Sequence, residues 1–215
     1  MGEVKTKALS VKIKANSLTL PGRLVIPEGA KSLIIFSHGS GSSRKSPRNN
    51  FVADKMNEFG FATLLFDLLT EEEDKNYPAR FDIELLIQRL LLATNWVKEQ
   101  EELKDFELGI FGSSTGAASA LGAASMLGSM VKAVVSRGGR PDLAMPYLSD
   151  VKAATLLIIG ELDSYVIEVS ETSYEQLNVP KEIKIIEGAT HLFEEAGTLE
   201  KVANAAGKWF AKYLS

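Results

Sequence analysis

Apolar residues recur along this chain in two rhythms, and the alternation between them outlines the architecture. Over residues 4–26 apolar and polar positions alternate on both sides of Ala15-Asn16-Ser17. That period of two predicts an antiparallel hairpin, with Lys5, Lys7, Lys12 and Lys14 on its solvated side. Short continuous apolar runs follow at residues 33–37, 61–66, 108–111, 131–135 and 155–159. Such runs suit strands covered on both faces of a parallel sheet. Residues 182–186 repeat the run in a more polar form and are expected near an edge.

Helical periods fill the gaps. Ile83, Leu86, Ile87, Leu90, Thr94 and Val97 fall on one face of a helix. At the C-terminus Leu199, Val202, Ala203, Ala206, Trp209, Phe210 and Tyr213 do the same, and this stripe reads as core contact. Strand and helix therefore alternate from Leu33 onward, behind the hairpin. The predicted fold is α/β: a doubly wound, mostly parallel sheet with an antiparallel start, in one domain over residues 1–215. No repeat, low-complexity tract or linker divides it. In such sheets chemistry lies outside the carboxyl ends of the strands, so the residues after each run carry the functional argument.

The run at residues 108–111 leads into Gly112-Ser113-Ser114-Thr115-Gly116, and a small, helix-compatible stretch follows. G-x-S-x-G between a strand and a helix is the pattern of a nucleophile elbow, a strained corner that projects its central serine from the sheet. Glycines two before and two after that serine approach each other, and a Cβ on either would clash. The serine at issue is Ser114 rather than Ser113. The competing reading of the pentapeptide is a plain tight turn with Ser114 capping the next helix.

The other strand ends weigh against the plain turn. His38-Gly-Ser-Gly-Ser-Ser43 follows the first run, Gly160-Glu-Leu-Asp163 the fifth, and Glu187-Gly-Ala-Thr-His191 the last. Ser114, Asp163 and His191 thus appear in the order Ser, Asp, His. A serine hydroxyl is a weak nucleophile near neutral pH and needs a base to take its proton. An imidazole, with an ordinary pKa near 6.5, accepts and returns a proton in that range. A carboxylate holds the useful tautomer and stabilises the imidazolium. The backbone N–H groups of Ser40 and Thr115 are the candidate oxyanion donors. His38 is the alternative base but more naturally props its loop, and Glu161 is the alternative acid to Asp163. Asp67 precedes the nucleophile and reads as a structural or pocket residue.

Composition narrows the classes. Hydrophobic content of 45% and charged content of 24% are ordinary for a globular chain. A net charge of −4 argues against a nucleic-acid footprint. Cysteine is absent, which excludes disulfides, thiolate metal sites and a cysteine nucleophile. Two histidines far apart show no metal-ligand spacing, so neither metal nor cofactor is expected. The N-terminus has no apolar signal-peptide region and no apolar run spans a membrane, which gives a cytoplasmic expectation with no membrane partner. Arg137, in Ser136-Arg-Gly-Gly-Arg-Pro-Asp142, could meet a substrate carboxylate or phosphate, or be a surface or helix-capping arginine. Residues 71–74, Glu-Glu-Glu-Asp, read as a solvated loop.

Taken together, His38-Gly-Ser-Gly-Ser-Ser43, Leu65-Phe-Asp-Leu-Leu-Thr70, Phe111-Gly-Ser-Ser-Thr-Gly-Ala117, the Arg137 segment, Gly160-Glu-Leu-Asp163 and Gly188-Ala-Thr-His-Leu-Phe-Glu194 resemble the dienelactone-hydrolase-like branch of the α/β-hydrolases. The likeness runs over nearly the whole chain. It is nearest to small hydrolases found alone or fused to phosphoribosyltransferase domains, and the length suits the standalone form. The resemblance implies Ser114, Asp163 and His191 as the triad. Dienelactone hydrolases proper use cysteine at the elbow, whereas this chain has serine. The expectation is a serine esterase acting on small carboxylic esters through an acyl-enzyme, with a minimal cap and short acyl chains. Lactone, thioester or amide hydrolysis, or a catalytically weak binding protein, are the alternatives on the same fold. An apolar edge or face could support a homodimer.

Overall fold

In the computed structural model, which describes residues 6–15 and 18–214, the apolar runs become one eight-stranded sheet. Strands β1 (Thr6–Ala15) and β2 (Leu18–Pro27) pair antiparallel throughout their length, from Thr6 opposite Pro27 to Ala15 opposite Leu18. The expected turn residues Asn16 and Ser17, and Val4 and Lys5 before the first strand, lie outside the described residues. Next come β3 (Ser32–Ser37), β4 (Ala62–Phe66), β5 (Glu107–Ser113), β6 (Val131–Arg137), β7 (Ala154–Gly160) and β8 (Lys181–Ile186). The spatial order is β1-β2-β4-β3-β5-β6-β7-β8. β2 joins β4 antiparallel and all later pairs are parallel. The polar run is an edge strand, as its composition predicts.

Among the described residues are six α-helices, five between strands and the last after β8: α1 (Pro47–Glu58), α2 (Glu71–Asp74), α3 (Ile83–Glu99), α4 (Thr115–Leu127), α5 (Ser164–Gln176) and α6 (Thr198–Tyr213). Because side chains alternate across each strand, the sheet has two apolar faces and therefore two cores. One holds Leu33, Ile35, Ile110 and Val134 with α3, α4 and the 3₁₀ segment Pro141–Asp150. The other holds Ile34, Phe36, Phe111 and Val135 with α1 and α6. In α6 the predicted stripe is buried, with Phe210 sealed and the Trp209 Nε1–H donating to the Ala154 carbonyl at 3.2 Å. Burying a side chain such as Phe210 stabilises the fold by about 1.5–3 kcal/mol.

The acidic run 71–74 departs from the expected loop. It forms the single turn α2, capped by Thr70, whose hydroxyl accepts from Glu73 N–H while the Glu73 carboxylate accepts from Thr70 N–H. Its charges are used as well. Glu73 pairs with Arg89 at 2.5 Å and Asp74 with Arg80 at 2.9 Å. No long insertion stands between β6 and β7, where the 3₁₀ segment is the only element, so the minimal cap is observed.

Candidate active site

β5 is sealed on both faces from Leu108 to Ser113 and ends in a corner. Ser114 occupies that corner with φ 51° and ψ −124°, a left-handed backbone that a residue with a side chain adopts only when its surroundings enforce it. The enforcing contacts are close. A Cβ on Gly116 would stand 2.3 Å from the Ser37 carbonyl oxygen, and one on Gly112 would stand 2.6 Å from that of Gly116. Only glycine fits either place. α4 then starts at Thr115, and residues 115–120 are all small, which lets its start lie against the sheet. Of the two adjacent serines, Ser113 is buried beside Asn49, whose amide reaches its hydroxyl at 3.5 Å. Ser114 is the residue at the strained corner.

His191 and Asp163 come together at the next strand ends. Asp163 Oδ2 lies 2.6 Å from His191 Nδ1, the carboxylate half-buried and the imidazole more open. Glu161, the alternative acid, instead accepts from Gly188 N–H at 2.8 Å and shapes the turn that leads to His191. The His191 loop is tied once more by Glu195, which accepts from the hydroxyl and N–H of Thr190 at 2.6 and 3.1 Å. Those bonds hold the Glu195 carboxyl below its ordinary pKa, the Thr190 hydroxyl contributing most. The loop meets the elbow through β6. Ser114 N–H donates to the Arg137 carbonyl at 3.3 Å, and the next residue, Gly138, faces His191: a Cβ there would lie 3.6 Å from the imidazole Cε1.

The other histidine is differently placed. His38 is buried, and its Nε2 accepts from Leu68 N–H at 3.0 Å. Its proton is therefore on Nδ1, 3.0 Å from the Gly39 carbonyl. Desolvation lowers its pKa, outweighing the Gly39 carbonyl and the charges of Asp67 and Asp74. It props the loop and has no free nitrogen with which to move a substrate proton. Asp67 supports the same loop from below by accepting from Arg44 N–H at 2.7 Å and pairing with the Arg44 guanidinium.

The expected oxyanion pair shows a feature that sequence could not reveal. Ser40 N–H donates to the Thr115 hydroxyl oxygen at 2.9 Å. Gly39 packs so close that a Cβ on it would lie 3.0 Å from the Ser114 Cβ. The two expected donors are thus neighbours over the nucleophile, with Ser40 engaged by the Thr115 side chain. Thr115 N–H opens α4 and has no carbonyl one turn earlier to meet it.

Arg137 is neither at the surface nor a helix cap. Its guanidinium is buried on the α1 side of the sheet, with its carbon 5.8 Å from the centre of the Phe193 ring. Arg140, which sequence reasoning passed over, is the arginine nearer the elbow by its backbone: its N–H donates to the Ser114 carbonyl at 3.1 Å. Its guanidinium is held by Asp142 at 2.8 and 2.7 Å and lies 5.1 Å from the Tyr165 ring centre. The doublet Arg140-Pro-Asp142 was the available signal. Among the described residues no cluster of three His, Cys, Asp or Glu side chains could hold a metal, and no helix is long and apolar enough to cross a membrane.

A serine on a strained corner and an Asp–His pair at the adjoining strand ends are the parts of an α/β-hydrolase site. The profile of the dienelactone hydrolase family matches residues 20–215. The chain belongs to the dienelactone hydrolase family. A structure of a dienelactone hydrolase from Anabaena variabilis superposes with a TM-score of 0.96 at 48% identity, covering 98% of this chain and 99% of that one. Est1E from Butyrivibrio proteoclasticus shares the fold at 18% identity, with a TM-score of 0.80 over 94% of this chain and 98% of its own. Two Mycobacterium tuberculosis proteins whose names propose a phosphoribosyl transferase are 48% identical over 204 residues, 95% of this chain and 46% of each relative. The chain spans about half the length of those curated relatives.

Proposed function

We propose that the protein is a serine hydrolase that cleaves small carboxylic esters through an acyl-enzyme on Ser114. The observation that carries this reading is the left-handed backbone at Ser114 beside the 2.6 Å Asp163–His191 contact. Strain of this kind is kept where the surroundings over-determine it, and its use here is to present the hydroxyl. His191 Nε2 takes the Ser114 proton as Oγ attacks the ester carbonyl, then returns it to the leaving alcohol. Asp163 holds Nδ1–H and so leaves Nε2 as the acceptor. Thr115 N–H and Ser40 N–H receive the developing oxyanion, Ser40 turning from the Thr115 hydroxyl to do so. Water, activated by the same imidazole, releases the acid. No cofactor takes part.

Hydrolysis of p-nitrophenyl acetate and butyrate by wild type and Ser114→Ala tests the reading. Turnover is expected to fall on the order of 10⁴-fold or more in the variant, the scale on which a triad nucleophile acts. Equal rates from both proteins would remove Ser114 from the chemistry.

A further inference from the structure

Arg137 is the least satisfied of the described residues. It is 7% exposed, and its Nε and Nη1 are sealed from solvent with no hydrogen-bond partner. No carboxylate pairs with it. Phe193, beside it, presents a ring rather than an acceptor. Burial, with a smaller contribution from the charge of a second arginine, Arg48, pushes its pKa down to about 10. A buried cation ordinarily has a partner, because leaving charge desolvated and unpaired is among the most unfavourable arrangements in a fold.

The surroundings are built from donors. Arg48 is the second residue of α1, and its Nε is also sealed without a partner. Its Nη1 reaches out to Glu194 at 2.8 Å, across the exposed rim. The first turn of α1 adds the positive end of a twelve-residue helix. Asn49, on the same turn, joins Ser113 to the cluster at 3.5 Å, its Oδ1 being the one sealed acceptor there. Glu194 thus answers only the outer nitrogen of Arg48, whereas the sealed nitrogens of both arginines, beside the helix N-terminus, have no hydrogen-bond partner.

We propose that Arg137 and Arg48 form, against the first turn of α1, a binding site for an oxyanion of the carboxylate or phosphate type. The site is on the α1 face of the sheet, below Ser114, whose N–H bonds the Arg137 carbonyl. An oxyanion offers two acceptors to a planar guanidinium, a geometry that neither water nor chloride reproduces. Two sources have this chemistry: a free ion, or an acidic group carried on the acyl part of the substrate. Only the second rests on the Ser114 reading.

The experiment uses thermal unfolding first, which needs no catalysis. Sodium phosphate replaces sodium chloride at constant ionic strength, for wild type and for Arg137→Met. Wild type should show a saturable rise in Tm of about 3 °C or more, as expected of a ligand bound only by the native state. Arg137→Met should show none, and in chloride should melt no lower than wild type, because an unanswered charge has been replaced by an apolar chain. Arg48→Gln, altered at the half-exposed partner, should need about tenfold more phosphate for half the rise, and it serves if Arg137→Met does not fold.

Hydrolysis then separates the sources. If the substrate carries the anion, the ratio of kcat/KM for mono-p-nitrophenyl succinate over p-nitrophenyl butyrate should fall tenfold or more in Arg137→Met; a steady ratio beside the Tm effect assigns the site to a free ion. No phosphate-dependent rise in wild type together with a steady ratio overturns the proposal. So does a rise that persists in both variants. An inactive wild type with an intact Tm effect would instead count against the esterase reading alone.

Discussion

The two histidines stand in equivalent places, each just past the carboxyl end of a strand, yet the structure gives them opposite work. His38 is buried, and both ring nitrogens are spoken for by the backbone, at Leu68 and Gly39. His191 is 40% exposed at its side chain, and only Nδ1 is engaged, by Asp163. A ring held at both nitrogens is a strut with a set tautomer. A ring held at one keeps a nitrogen to spare, which is what the proposed base role requires. The difference is in the partner of the second nitrogen, not in residue type or topology.

The comparison breaks most visibly at Asp163. Asp163→Asn keeps size and position but offers an amide that can donate to Nδ1, which moves the imidazole proton to Nε2 and leaves no acceptor toward Ser114. Ester turnover at pH 7 should fall on the order of 10⁴-fold, the scale found when a triad carboxylate is exchanged for its amide. Circular dichroism and Tm should stay near wild type, because the bond is at a half-buried rim. A drop of less than tenfold would mean that His191 keeps its tautomer without Asp163.

Much of this contrast was legible in the chain. Apolar runs of four to six residues place the buried strands, since a strand covered on both faces suits them. Once strand ends were known, Ser114, Asp163 and His191 fell at three of them, and the glycines at 112 and 116 marked the corner. The Gly-x-x-Asp spacing after β7 favours Asp163 over Glu161, and in the structure the two carboxylates diverge to His191 and Gly188. Arg48 and Glu194 meet across 146 positions, and no local pattern signals such a pair. Arg137 left a trace that went unread: alternation along β6 puts it on the face of Ala133 and Val135, both buried in the α1–α6 core. α2 is a single turn, too short for any period, although Thr70-Glu-Glu-Glu73 has the spacing of a capping box.

A smaller test concerns the loop that His38 supports. The Thr115 hydroxyl is the acceptor for Ser40 N–H, so it sets that amide over the nucleophile before substrate arrives. Thr115→Val removes the acceptor while keeping the shape of the side chain. The expected result is a fall in kcat/KM on the order of tenfold, less than the loss of a whole oxyanion donor, with Thr115→Ser close to wild type. A faster Thr115→Val enzyme would reverse the assignment and make the hydroxyl a competitor for the amide.

The gentlest test reads His38 itself through pH. Its folded pKa is depressed by burial, so the native state holds the ring neutral while the unfolded chain takes up a proton near pH 6.5. The unfolded state binds more protons below that point, and stability contributed by the neutral ring is present above about pH 6.5 and lost as pH falls toward the folded pKa. His38→Gln removes the titration but can still bridge backbone groups. At pH 7 it should be less stable than wild type by about 1–2 kcal/mol, the worth of imperfectly replaced buried hydrogen bonds. Denaturant unfolding at pH 7, 6 and 5 should show that gap narrowing, by at most about 1.4 kcal/mol per pH unit. Groups common to both proteins cancel in the difference. A gap that stays constant would mean that the His38 ring accepts a proton in place, and the strut would then be free to act as a second base.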